Sequence, residues 1–98
     1  MKRLEEIIEK LKSLKEETKN NYKAEVIGVF GSYARHKQNR KSDLDVLVKF
    51  YDGATLFELI GIGLFLEKRL GIKRGDVVPY DTVREEIRNR IFKEAVYL

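Results

Sequence analysis

The segment with the clearest chemical meaning runs from Gly31 to Asp45, where a glycine–serine pair is followed, after ten residues, by two aspartates that flank one leucine. Residues two apart on a strand point the same way and lie roughly 6.6 Å apart, so Asp43 and Asp45 would present their carboxylates side by side. Like charges this close repel each other, and a hard divalent cation would compensate them. The alternative is a pair of solvated acids at a strand end.

Asp76 is the best candidate for a third carboxylate, because it begins another β-rich run that a neighbouring strand could bring beside the pair. Two metal ions ~3.5–4 Å apart, held by such oxygens, form the clamp used in nucleotidyl transfer. Ligand sets made only of oxygen favour magnesium over zinc. In such a site Asp76 would ligate the second ion and accept the proton of the attacking hydroxyl. Otherwise it is an ordinary turn acid.

Gly31 and Ser32 have the residue types of a phosphate-binding turn. A glycine at a strand end allows close approach of the backbone to a ligand, and Ser32 is predicted to be the N-cap of a short helix over residues 32–38. This turn would hold a triphosphate while the aspartates hold its magnesium. Arg35, on the predicted helix, either contacts the nucleotide or a partner or is a surface cation. His36, the only histidine, is expected to be solvated.

Composition limits the other possibilities. The chain has 98 residues and no cysteine, which excludes disulfides, thiolate zinc sites and a cysteine nucleophile. Its net charge of +4 favours polyanions such as nucleotides and nucleic acids. No apolar segment reaches the ~20 residues of a membrane span, and the charged N-terminus is not a signal peptide. We expect one domain over residues 1–98, soluble and cytoplasmic, with no membrane partner.

Hydrophobic periodicity predicts the element order αβαβαβα, an α/β (α+β) fold with a small mixed sheet flanked by helices. Strands are predicted over residues 24–30, 43–50 and 73–80, with Pro79 at a sheet edge or a strand terminus. Helices are predicted over residues 2–20, 32–38 and 54–70, and from about Thr82 to the end, with Gly71 closing the third. The inward positions of the last helix are Val83, Ile87, Ile91 and Ala95.

The predicted helix over residues 54–70 has more apolar residues than one buried stripe requires. Gly61 and Gly63 lie inside it and each cost roughly 1 kcal/mol relative to alanine. Burial in the core explains this composition. Packing against another chain through the segment Leu56–Leu66, in a homo-oligomer or a hetero-oligomer, explains it equally well.

These segments also resemble a known family. GS, ten residues and DLD are similar to the Gly-Ser…Asp-x-Asp signature of the DNA polymerase β-like nucleotidyltransferases. The runs FGSYAR, SDLDVLVKF, TLFELIGIGLFLEKRLG, GDVVPYD and IFKEAVYL resemble the minimal nucleotidyltransferase (MNT) domain proteins over nearly the whole chain. The resemblance implies a polymerase β-like fold and magnesium-dependent transfer of AMP from ATP. It implies Asp43, Asp45 and Asp76 as the metal and catalytic carboxylates, with Gly31 and Ser32 as the nucleotide-holding turn.

The resemblance also implies a partner. MNT proteins are commonly encoded beside HEPN-domain ribonuclease toxins and act as their antitoxins by adenylylating a toxin tyrosine. Two alternatives stay open: an antitoxin that masks the toxin by binding alone, and a basic RNA-binding module.

Two positions depart from the family pattern. His36-Lys37 stands where relatives often have glycine followed by an acidic residue, and Gly75 stands where they often have valine. Gly75 is expected to loosen the strand that carries Asp76.

Overall fold

A four-stranded mixed sheet forms the centre of the computed structural model, which describes residues 2–98. Its strands are β1 (Ala24–Phe30), β2 (Leu44–Phe50), β3 (Gly75–Pro79) and β4 (Val96–Tyr97), in the spatial order β3-β2-β1-β4. β1 runs antiparallel to β2 and β4, whereas β3 is parallel to β2. The predicted fold class, a mixed sheet with helices, is confirmed, and β3 with Pro79 lies at a sheet edge.

The helices are α1 (Leu4–Ser13), α2 (Lys15–Tyr22), α3 (Leu56–Leu70) and α4 (Glu85–Glu94), with a 3₁₀ turn at Tyr80–Thr82. Within residues 2–98, no helix is both long enough and apolar enough to cross a membrane.

The N-terminal helix predicted over residues 2–20 is two helices rather than one. Leu14 interrupts it with φ −95° and ψ 3°, although its amide still donates to the carbonyls of Lys10 and Leu11. α2 ends where Lys23 adopts a left-handed conformation with φ 52°, two residues beyond the predicted end. The interruption keeps the buried side of both helices against the sheet, since Leu14 and Thr18 are both buried.

The core lies between one face of the sheet and α1 and α3. Its buried members on the strands include Val29, Leu44, Val46 and Val48, and on the helices Ile7, Leu11, Ile62, Leu66 and Leu70. Leu47, predicted on the opposite face of β2, is also only 1% exposed, so β2 is covered on both faces there.

α3 is defined by local signals at both ends. Thr55 and Glu58 form a reciprocal capping box at its start, and Gly71 ends it with φ 66°. Gly61 lies against the ring of Tyr22: a Cβ at this position would be 2.9 Å from the ring Cε1. Gly63 has room, because its nearest such contact is 3.7 Å. Close helix packing thus explains one of the two glycines.

The helix predicted over residues 32–38 is wrong. Residues 31–36 form consecutive turns, in which Arg35 N–H donates to the Gly31 carbonyl and Lys37 N–H to the Ser32 carbonyl. His36 has φ 57°, so the chain leaves the right-handed helical region after about one turn. Tyr33, only 4% exposed, anchors the turn in the core.

The C-terminal prediction is correct in part. α4 begins at Glu85 and ends at Glu94, where Ala95 turns extended, and the chain then adds strand β4 rather than continuing as a helix. Val83 is buried as predicted, and Ile91 and Ala95 are half-buried, but Ile87 is 43% exposed. The order αβαβαβα therefore loses its second helix and gains a fourth strand.

Candidate active site

Asp45 and Asp76 lie directly beside each other, because the parallel register of β2 and β3 pairs these two residues. Paired residues on neighbouring strands project from the same face of a sheet. Their carboxyl groups are close enough that Asp76 raises the pKa of Asp45 both by its charge and by the hydrogen bond that a protonated Asp45 would donate.

The pKa of Asp45 is raised to about 6. Burial is the main cause, followed by the negative charges of Asp76 and Asp43 and by the hydrogen bond to Asp76, while Arg35 acts in the opposite direction. Asp45 therefore lies in a region with an excess of negative charge that the neighbouring cations only partly offset.

Gly31 contacts this pair from the end of β1. Its φ is 74°, and a Cβ at this position would lie 2.1 Å from Asp45 Oδ2, so only glycine fits. Ser32 follows at once, which places the glycine–serine turn directly over Asp45. Because no helix follows Ser32, this turn does not offer a phosphate the free N–H groups and the partial positive charge of a helix N-terminus.

Asp43 precedes β2, and its carboxylate is joined to Asp76 through Arg74. Arg74 Nε lies 3.2 Å from Asp76 Oδ1 and 4.0 Å from Asp43 Oδ2. Arg74 was not among the site residues predicted from the sequence. Its position two residues before Asp76, on the same side of an extended segment, was the available signal.

Arg35 forms an ion pair with Glu94 at the end of α4, with 3.2 Å between Nη1 and Oε2. This contact connects the glycine–serine turn to the last helix. The positive charge of Arg35 also acts on the carboxylate pair, because it partly offsets the rise in the pKa of Asp45.

The start of β3 is held more firmly than Gly75 alone suggests. The Gly75 amide donates to Glu67 Oε2 on α3 at 3.0 Å, and the Leu44 amide donates to the Arg74 carbonyl at 2.9 Å. These two bonds fix the strand on both sides immediately before Asp76. The expected loosening at Gly75 is therefore offset by α3 and β2.

The carboxylates suit a hard cation by their chemistry. Asp45 and Asp76 converge, Asp43 approaches them through Arg74, and oxygen donors with excess negative charge are the ligands that magnesium prefers. Within residues 2–98, however, no three carboxylate or imidazole side chains are already arranged to hold a metal ion. The roles of Asp43, Asp45 and Asp76 as ligands stay predictions.

The nucleotidyltransferase domain family matches residues 4–98. Protein adenylyltransferase MntA of Thermococcus cleftensis is 36% identical over 95 residues, which are 97% of this chain and 95% of that protein. A Methanocaldococcus jannaschii protein, provisionally named a protein adenylyltransferase, is 35% identical over 98 residues, the full length of both chains.

Two solved structures share the fold. One, described provisionally as a minimal nucleotidyltransferase, has a TM-score of 0.81 at 32% identity, and the match covers 99% of this chain and 97% of the solved chain. The other, described as a toxin–antitoxin with AMP-PNP, has a TM-score of 0.68 at 22% identity, and the match covers 96% of this chain and 70% of the solved chain. At that identity the second shows the fold alone. The chain therefore belongs to the nucleotidyltransferase domain family of enzymes, among its minimal members.

Proposed function

We propose that this chain is an antitoxin that transfers AMP from ATP to a tyrosine hydroxyl of a HEPN-type ribonuclease toxin. The pairing of Asp45 with Asp76 on neighbouring strands, beneath the Gly31 turn, is the observation that carries the proposal. Relatives named as protein adenylyltransferases and a toxin–antitoxin of the same fold support the choice of protein acceptor.

Asp45 and Asp76 would hold magnesium, with Asp43 completing the ligand set of two ions. When bound, the ions supply positive charge to the triphosphate and to the leaving pyrophosphate, and they lower the pKa of the attacking hydroxyl. The raised pKa of Asp45 fits this role, because a divalent cation would neutralise the charges that now repel each other.

Gly31 and Ser32 would hold the triphosphate from the other side. The backbone of Gly31 lies against Asp45 Oδ2, so phosphate oxygens bound at this turn would be adjacent to the carboxylates. Arg35 supplies positive charge to the same region, and Glu94 fixes the direction of its side chain.

In the reaction the tyrosine oxygen forms a bond to the α-phosphorus, while the bond from that phosphorus to the bridging oxygen breaks and pyrophosphate leaves. The hydroxyl proton goes to Asp76, which lines an open groove beside α3, whereas Asp45 lies under the turn. The Asp76 side chain is 37% exposed at the sheet edge, which gives it, rather than Asp45, access to an arriving acceptor.

Incubation with α-labelled ATP, magnesium and the product of the neighbouring gene, which the proposal expects to be a HEPN-domain protein, tests the proposal. We expect label on the toxin with the wild type and with Asp52→Asn, an exposed control acid at the other end of β2. We expect at least a hundredfold loss with Asp43→Asn and with Asp76→Asn. Undiminished label with both site variants would refute the assignment. Neutralisation of the toxin without any label would favour the antitoxin that acts by masking.

A further inference from the structure

Four large apolar side chains form an exposed stripe on α3, at helical spacing. Leu56 is 70% exposed, Phe57 86%, Ile60 61% and Leu64 61%. The stripe spans nine residues, from Leu56 to Leu64, or about 12 Å along the helix at ~1.5 Å per residue. Soluble monomeric proteins rarely expose a contiguous apolar patch of this kind, and such patches commonly mark interaction sites.

The stripe is held rigidly. The capping box of Thr55 and Glu58 fixes the first turn of α3, where Leu56 and Phe57 lie. Further along, Gly61 packs against the Tyr22 ring, which in turn lies 5.1 Å from the ring of Phe65. A surface that is already ordered loses little entropy when a partner binds to it.

The stripe leads to the candidate active site. Ile60 and Leu64 also line a groove of about 240 Å³ between α3 and the edge strand β3, and Asp76 lines the same groove. The groove therefore places apolar side chains of α3 beside the edge strand that carries Asp76, the residue to which the acceptor proton is assigned. The other residues that line the groove are Leu59, Gly63, Glu67, Gly75 and Val77.

We propose that this stripe and groove bind an apolar helix face of the protein that is modified, and so bring its hydroxyl to Asp76. The inference rests on the proposed function and adds where the acceptor docks. An apolar ridge beside a shallow groove suits a helix with anchors at i, i+3 or i+4 and i+7. A second copy of this chain on the stripe would instead cover the groove, and with it the approach to Asp76.

The test uses Ile60→Lys and Leu64→Lys, with Ile87→Lys as matched control, because Ile87 is an exposed isoleucine on α4. Affinity for the HEPN-domain protein is measured by biolayer interferometry, and Mg–ATP affinity by calorimetry. We expect the stripe variants to weaken protein binding at least tenfold and to raise KM for the acceptor. Their Mg–ATP affinity should stay within twofold of the wild type, and the control should be unchanged in both.

Unchanged acceptor affinity in both stripe variants, with label transfer intact, would overturn the docking site and leave the proposed function standing. Conversely, stripe-dependent binding without label transfer would support the docking site and reject the proposed function. Sedimentation of the wild type as a dimer that Ile60→Lys dissociates would identify a second copy as the occupant and overturn the proposal. No binding of the HEPN-domain protein to the wild type would overturn it as well. Circular dichroism melting confirms that each variant is folded.

Discussion

Asp45→Asn should stabilise the metal-free protein while it abolishes Mg–ATP binding. In the folded chain, burial and the charges of Asp76 and Asp43 raise the pKa of Asp45 from 3.8 to about 6. At pH 7.5 the ionised carboxylate therefore destabilises the native state. Asparagine removes this charge, keeps the size of the side chain and can donate a hydrogen bond to Asp76.

The size of the effect follows from the pKa difference. The rise in the pKa of Asp45 from 3.8 to about 6 corresponds to about 3 kcal/mol in the free energy of unfolding, at ~1.36 kcal/mol for each pH unit. Solvent reaches part of the Asp45 carboxylate, and screening reduces this figure to roughly 1–2 kcal/mol. For a chain of this length, that gain raises Tm by about 5–10 °C.

The pH dependence has a defined sign. The folded pKa of Asp45 lies above the unfolded one, so the native state binds more protons than the unfolded state between about pH 4 and pH 6. The contribution of Asp45 to the free energy of unfolding therefore falls as pH rises through this window. In Asp45→Asn that contribution is absent.

Thermal melts of the metal-free proteins at pH 4.5, 6 and 7.5 measure both effects, with Asp52→Asn as an exposed control. The gain of Asp45→Asn over wild type should be largest at pH 7.5 and about a third as large at pH 4.5, where the carboxyl is mostly ionised in the unfolded state but not in the folded state. A lower Tm for Asp45→Asn at pH 7.5, or a gain independent of pH, would refute the reasoning. Calorimetry with Mg–ATP should show binding to wild type and none to the variant.

Gly31→Ala should lower the free energy of unfolding by at least about 1–2 kcal/mol and abolish Mg–ATP binding, because φ is positive and a Cβ would overlap the Asp45 carboxylate. Normal Mg–ATP binding in calorimetry would contradict this. Gly61→Ala should lower Tm although alanine favours a helix, because a Cβ at this position would meet the Tyr22 ring. Gly63→Ala, which has room for a Cβ, should instead raise the free energy of unfolding by up to ~1 kcal/mol. Equal effects of the two variants in thermal melts would exclude ring packing as the cause. Glu67→Ala should cost roughly 1 kcal/mol and weaken Mg–ATP binding severalfold in calorimetry, because the bond that fixes the start of β3 is lost; Glu67→Gln, which keeps an acceptor, is the control.

Local signals in the sequence determined much of this protein. The alternation in β1 and β2, the apolar period of α1 and α3, and the stop at Gly71 each depend on residues a few positions apart. The glycine–serine pair and the two following aspartates likewise lie within one segment of the chain. These features could be predicted because neighbouring residues alone produce them.

Only the tertiary structure decided how the site is assembled. The register that pairs Asp45 with Asp76, the contact of Arg74 with Asp76 and Asp43, and the exposure of the α3 stripe depend on residues brought together by strand pairing and packing. The predicted helix after Ser32 failed for the same reason. Burial of Tyr33 and the adjacent sheet end leave one turn where the local propensity indicated a helix, because packing outweighs the small propensity differences between single residues.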